Sequence, residues 1–222
     1  MNQTSDQSWN SFCKKGRQRW ELFCLVAITV VVLCFMKHFL QWNEMRPGLQ
    51  MKDIILDNIP SFNLSILTLC LTNITLFIGL IILLKKPRTT RLLLVSLVLL
   101  SSIRMFCMYL LPLEPPIGII PLRDFLLENT FYSNQVMEKD LFFSGHTANL
   151  FLMALLLEHK KLKVIVFVIC SIVGMMILLQ HVHYTLDVIV APFAAYLAYV
   201  LAKKILAYIS MTFYTEIQET SK

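Results

Sequence analysis

Apolar residues in this chain come in long runs separated by short polar stretches. Six runs approach the roughly 20 residues that carry a helix across the hydrocarbon core of a bilayer. They lie near Trp20–Met36, Phe62–Leu84, Leu92–Leu111, Leu141–Leu157, Val164–Gln180 and Tyr184–Ala202. These runs are too long for the core helices of a soluble domain. They predict an all-α, polytopic membrane protein of about six transmembrane helices, organised as one domain with neither an internal repeat nor a low-complexity segment. The predicted division is an N-terminal tail over 1–19, a six-span membrane catalytic domain over 20–204 and a C-terminal tail over 205–222. The first run is expected to be a true span rather than a cleaved signal, because a polar stretch of about twenty residues precedes it and no small-residue cleavage site follows.

Composition agrees with the pattern. Hydrophobic residues make up 57% of the 222 and charged ones 15%, against about 25% charge in soluble domains, and the mean hydropathy is +0.66. The placement of charge adds an orientation. "KKGRQR" precedes the first run, "KKPRTTR" follows the second, "EHKKLK" the fourth and "KK" the sixth. If every run crosses, these flanks and Lys222 put fourteen of the twenty Lys and Arg on one side, and Lys37, Arg46, Lys52, Arg123 and Lys139 on the other. Arg104 lies inside the third run. Positive flanks stay in the cytoplasm, so both termini are expected there. The isoelectric point near 9.0 follows from these flanks, and no nucleic-acid partner is expected. The six cysteines, Cys13, Cys24, Cys34, Cys70, Cys107 and Cys170, show no metal-ligand spacing. No metal and no cofactor are expected. Asn63 and Asn73 match the glycosylation pattern but fall inside the second run.

Two polar stretches interrupt the apolar pattern on the other side. The loop 112–140 holds "PLEPPIGIIP", whose prolines exclude a regular helix throughout. Then comes "RDFLLENTFYSNQVMEKD", which accommodates a short amphipathic helix at the interface. "LFFSGHTANL" follows and places Ser144, Gly145, His146 and Thr147 at the mouth of the fourth run. Gly145 permits close approach of backbone to a ligand, and amides at a helix start suit a phosphate. The second stretch, "HVHYTLDV", lies between the fifth and sixth runs. Two crossings separate His146 from His183, so both are expected on the outer side. His183 and Asp187 are four residues apart, a spacing that puts them on one helical face. A carboxylate on one imidazole nitrogen fixes the tautomer and frees the other as base or nucleophile. His181, two residues from His183, is expected to point elsewhere on a continuous helix. His38 and His159 have no such company.

"SGHT" followed by "HYTLDV" resembles the lipid-phosphotransferase arm of the type 2 phosphatidic acid phosphatase (PAP2) superfamily, sphingomyelin synthases and their relatives in particular. The resemblance is strong from Asp140 to about Tyr199, weaker at "SSIRMFCMYLLPLEPP", and reaches the amino-terminal half only in span layout. It implies a PAP2-like six-helix bundle with cytoplasmic termini and an extracytoplasmic or lumenal site. It also implies that His183 takes up the phospho-headgroup, that Asp187 orients it, and that His146 protonates the departing diacylglycerol and then activates the acceptor hydroxyl. Ser144, Gly145, Thr147, Asp140 and Tyr184 are the implied substrate contacts. The implied partners are a membrane phospholipid donor with a phosphocholine-like headgroup and a lipid-alcohol acceptor such as ceramide or diacylglycerol.

The chain departs from the superfamily in places. The phosphatase arm's K-x6-R-P string is absent, and Ile177 stands where that arm has an arginine six residues before the second histidine. The phosphate-neutralising cations of the phosphatase arm are therefore missing, which favours the transferase arm. That arm's C-G-D reads Glu138, Lys139, Asp140, and its third-span arginine falls at Ser102, with Arg104 two residues on. Headgroup transfer also requires that water be kept from a phosphohistidine, so an enclosed pocket open sideways to the outer leaflet is expected. The alternatives are a lipid phosphate phosphatase using the same triad with water, and a non-catalytic lipid-binding membrane protein that retains the motif.

The orientation has a direct test. A cysteine at Ser133 is expected to be labelled from the outer side of the membrane. One at Thr89 is expected to stay protected until the membrane is opened.

Overall fold

A computed structural model of the chain describes residues 8–14, 16–122 and 137–220, the last ten of these by backbone alone. The segment in which the amphipathic helix is expected, and Ser133 with it, lies mostly outside the described residues. Among those described there are seven α-helices. They are α1 (Trp9–Cys13), α2 (Gly16–Glu44), α3 (Ser65–Leu83), α4 (Pro87–Leu110), α5 (Gly145–Leu156), α6 (Lys160–Leu179) and α7 (Thr185–Thr220), with one 3-10 turn at Leu56–Asn58. Apart from an isolated bridge between Leu49 and Leu113 there is no β-structure among the described residues.

The six runs correspond to α2 through α7, with boundaries moved by local chemistry. Helix α4 begins five residues before the third run, because Pro87 sits in its first turn, where its missing N–H costs nothing. The Thr89 and Thr90 hydroxyls donate to the carbonyls of Leu83 and Lys86. Helix α2 continues past Met36 to Glu44, so Lys37 lies within the helix instead of on a flank. Helix α7 continues to Thr220, past the expected boundary at 204. Five helices are long and apolar enough to cross a membrane: α2, α3, α4, α6 and α7. The fourth run forms the twelve-residue α5, about 18 Å long at 1.5 Å per residue. The first residues of that run, 141–144, are not helical.

Helix α5 is the centre of the bundle. It packs against α3, α4, α6 and α7, and Ala148, Leu150, Leu152, Ala154 and Leu156 are buried along it. An apolar helix enclosed on most sides by other helices fits that position. Helix α7 approaches α4 and α5 through Ala191, Ala194, Ala195, Ala198 and Ala202, all buried. Without a hydrophobic drive between helices in lipid, small residues of this kind allow close backbone packing. The opposite faces are apolar and exposed, as at Phe23, Val31 and Phe35 of α2, Phe77 of α3 and Phe193 of α7. Such faces are stable only when lipid covers them, and the protein is integral to a membrane. Where α2 enters the bundle, Glu21 pairs with Arg91 of α4.

Thr89 is buried and committed to the turn before α4, so its protection reports burial as well as sidedness. Lys85, exposed on the same basic flank, is the better position for that label. The alanine face supplies a second test. Ala198→Leu adds a branched side chain where none fits and is expected to cost about 1–3 kcal/mol. This is read as a lowered Tm of the detergent-solubilised protein, with Phe193→Leu on the lipid face close to neutral.

Candidate active site

"HVHYTLDV" is not a continuous helix. Helix α6 ends at Leu179, and the chain turns before α7 starts at Thr185. His181 stands in this turn at φ 55°, a left-handed conformation usually given to glycine or asparagine. The N–H of His181 donates to the Leu178 carbonyl at 2.9 Å and that of Val182 to Ile177 at 3.1 Å. These two bonds close the helix end in the reverse-turn pattern that a left-handed residue permits. The His181 ring is buried with Nδ1 3.1 Å from the Ile117 carbonyl, which ties the proline-rich loop to the turn. So His181 does point away from the pair, but through a chain reversal and not through helical rotation.

His183 is therefore in the turn, and Asp187 is in the first turn of α7. They meet all the same: His183 Nδ1 and Asp187 Oδ2 are 3.2 Å apart, with both side chains buried. A carboxylate oxygen only accepts, so Nδ1 carries the proton and Nε2 keeps its lone pair. The same Oδ2 accepts the Tyr184 N–H at 3.3 Å, a reach back over the helix start like that of a capping box. The Asp187 main-chain carbonyl accepts the Ser144 N–H at 3.1 Å. The two motifs, about 40 residues apart in sequence, are thus joined at the starts of α5 and α7.

Ser144 caps α5. Its Oγ accepts from the Thr147 amide at 3.4 Å and from the Thr147 hydroxyl at 3.1 Å. Both side chains are buried, and neither lines the adjoining cavity. Tyr184 is buried too, and its hydroxyl donates to the Glu114 carbonyl at 2.9 Å and accepts from the Met51 amide at 3.2 Å. These three expected substrate contacts are spent on holding the site together. The other two line the cavity: Gly145 and Asp140, together with His146. This cavity has a volume of about 440 Å³ and lies between α2, α3, α4 and α5. His183 and Asp187 are not part of its wall.

The cations of the phosphatase arm have no counterpart at their own positions, but Arg104, two residues from the expected third-span position, reaches the start of α5 from α4. Its Nη2 lies 2.7 Å from Asp140 Oδ1. A side chain at Gly145 would collide with its guanidinium. The close approach that Gly145 permits is thus made by Arg104. The signal is present in the sequence as a lone cation inside an apolar run, which by default marks function. What the sequence does not show is that α4 faces the histidine motif. Lys37, on the same cavity wall, is missed for the same reason.

Irregular segments hold the outer layer by charge. Lys139 donates to Glu114 Oε1 and to the Arg46 carbonyl, each at 2.8 Å. The same Glu114 oxygen accepts the Gly48 amide. Its hydrogen bond with Lys139 is the main reason the Glu114 carboxyl is held below the ordinary range. Asp53 caps α7 from a distance, accepting the Thr185 amide at 2.6 Å and its hydroxyl at 3.0 Å. Burial pushes the Asp53 carboxyl up, but the bonds from Thr185, Leu56 and Ile55 together outweigh it and the net shift is downward. No three His, Cys, Asp or Glu side chains gather among the described residues in a form that would hold a metal ion.

The Asp53 cap yields a prediction. A carboxyl depressed in the native state contributes stability that is complete above its ordinary value of 3.8 and is lost as pH falls through the lower native value. Asp53→Ala is expected to cost about 1 kcal/mol near neutral pH. The difference in Tm from the parent should shrink only below about pH 4. Because Asp53 fixes the helix start that carries Asp187, turnover of the variant should also fall.

Two comparisons with known proteins bear on this arrangement. No curated protein matches the chain. Residues 139–204 match the family model described as PAP2 superfamily C-terminal, a stretch that runs from Lys139 through both histidine motifs into α7. That part of the chain, which carries His146, His183 and Asp187, is therefore similar to the C-terminal region of the PAP2 superfamily.

Proposed function

We propose that the protein is a lipid phosphotransferase. It moves a phospho-headgroup from a glycerophospholipid to a lipid alcohol, of the ceramide or diacylglycerol class, through a phosphohistidine at His183. The observation that carries this reading is the buried His183–Asp187 contact at 3.2 Å, joined through the Ser144–Asp187 backbone bond to the helix that bears His146.

In the first half-reaction Nε2 of His183 attacks phosphorus and the bond from phosphorus to the diacylglycerol oxygen breaks. His146 delivers the proton that oxygen needs. In the second, His146 takes a proton from the acceptor hydroxyl, the acceptor oxygen attacks phosphorus, and the phosphorus–nitrogen bond breaks to restore His183. Asp187 holds the ring and stabilises its positive charge in both. Arg104 and the amides at the start of α5 meet the phosphoryl oxygens, since a helix N-terminus beside a guanidinium favours an anion.

Burial favours transfer over hydrolysis. His183 is 3% exposed and Asp187 1%, so bulk water has little access to the intermediate. Donor binding has to open a path from the cavity to His183. The site lies on the extracytoplasmic or lumenal side, opposite the basic flanks at Lys85–Lys86 and Lys160–Lys163.

The test is incubation of purified protein with labelled phospholipid donors plus ceramide and diacylglycerol, followed by lipid chromatography. His183→Ala is expected to abolish transfer. Asp187→Asn should cause a large loss; the equivalent change in a serine protease triad costs about four orders of magnitude. His146→Ala should be partly rescued by a donor with a better leaving group. His181→Asn, which tolerates the left-handed backbone, should leave turnover within a few-fold. Acid-labile, base-stable phosphate should map to residue 183. Transfer surviving in His183→Ala, or label on His146 or His181, overturns the assignment. Release of headgroup to water with no lipid product makes the protein a phosphatase.

A further inference from the structure

The cavity beside His146 carries two cations on its wall, Arg104 from α4 and Lys37 from α2. Arg104 is matched by Asp140 at 2.7 Å. Lys37 is half-buried and has no hydrogen bond or ion pair with any described residue. It lies seven residues before the end of α2, about 10 Å along the helix axis, at the depth of a membrane-spanning segment. An ammonium held there without a counter-ion is costly and marks a place where a ligand supplies the charge. With Arg104 and Asp140 offsetting each other, the described wall has one positive charge in excess. One phosphodiester balances it.

The rest of the wall bears on the group attached to that phosphate. A quaternary ammonium is held by aromatic faces or by a carboxylate. Among the described residues the wall has two aromatic rings: Phe143, which already lies 6.0 Å from the Arg104 guanidinium, and the His146 imidazole, which the proposed reaction charges in turn and which therefore makes a poor seat for a second cation. Its one carboxylate, Asp140, is taken. A choline or ethanolamine headgroup would therefore set a second cation beside Lys37 with nothing to offset it. The wall instead offers hydroxyls and amides, at Thr72, Ser101, Asn73 and Asn149. The Thr72 hydroxyl is buried and has no hydrogen-bond partner. A buried hydroxyl left unbonded is costly, and it faces a site where a polyol would satisfy it.

We propose that this cavity selects glycerophospholipids whose phosphodiester carries an uncharged polyol, of the glycerol or inositol class, and that Lys37 is the residue that determines this specificity. The donor is then an anionic phospholipid and not the phosphocholine lipid that the motif resemblance implies. For its catalytic consequence the proposal rests on the headgroup-transfer reading; for binding it rests on the cavity alone.

The full chain in detergent is offered equimolar phosphatidylglycerol and phosphatidylcholine with the same acyl chains, and bound lipid is counted by native mass spectrometry. Phosphatidylglycerol should exceed phosphatidylcholine by at least about ten-fold, since like charges brought together at a desolvated site are strongly disfavoured. Lys37→Met should bring the ratio close to one, and Lys37→Arg should keep it. Turnover of the two donors with diacylglycerol as acceptor should show the same ratios. His183→Ala should abolish turnover while leaving the binding ratio intact. Equal or stronger binding of phosphatidylcholine by the parent protein, or an unchanged ratio in Lys37→Met, overturns the proposal. If binding follows Lys37 but turnover survives His183→Ala, the selectivity stands and the transferase reading falls. If turnover needs His183 but prefers the choline lipid, the transferase reading stands and the selectivity falls.

Discussion

Asp187 is the residue on which the rest of the site depends. Its side-chain oxygen accepts from the His183 ring and from the Tyr184 amide, while its main-chain carbonyl accepts from the Ser144 amide. One residue thereby orients the imidazole, closes the start of α7 and fastens the start of α5 beside it. The need is physical. At the end of a buried helix the first amides have no partner within the helix, and water is scarce at this depth, so the protein must supply each acceptor itself. A carboxylate in the first turn meets that need and also favours the positive end of the helix dipole.

The same constraint explains the layer of irregular chain above the helices. Residues 45–64, 111–122 and 137–144 have no regular ladder to satisfy their main chain. They satisfy it through side chains: Glu44 accepts the Glu138 and Lys139 amides, Asn43 donates to the Lys139 carbonyl, and Gln180 binds Leu64, Ser65 and Ile120 together. These bonds tie the end of α2 to the segment before α5, and the end of α6 to the start of α3 and to Ile120. The helical bundle beneath could slide along its alanine faces, but the polar layer fixes the relative heights of the helix ends. That is what sets Arg104 against Gly145 and His183 against Asp187.

Much of the site was legible because chemistry in a membrane is conspicuous. "SGHT" and "HYTLDV" stand out against apolar surroundings, and topology alone required His146 and His183 to lie at the same end if both intervening runs crossed. The individual roles around them were not legible. Ser144, Thr147 and Tyr184 look in sequence like ligands for phosphate, and in the fold they are caps and ties. Arg104 looks in sequence like a stray charge in an apolar run and Lys37 like a flanking one, and in the fold both line the cavity. The difference turns on which helix faces which, and apolar runs that are hydrophobic on every side carry no signal of facing.

The sequence by itself determined the class of the protein: the long apolar runs dictate helices, since in lipid every main-chain group must be bonded within its own segment. It also marked the candidates for chemistry, because a charged or imidazole side chain is costly to keep in such a setting. Only the tertiary structure decided that the fourth run is a short central helix and that the second histidine motif is a turn followed by a helix start. It also decided that a cation from α4 and another from α2 share one cavity with His146. These outcomes depend on packing between helices distant in sequence and on the main-chain bonds at their ends, which local composition leaves open.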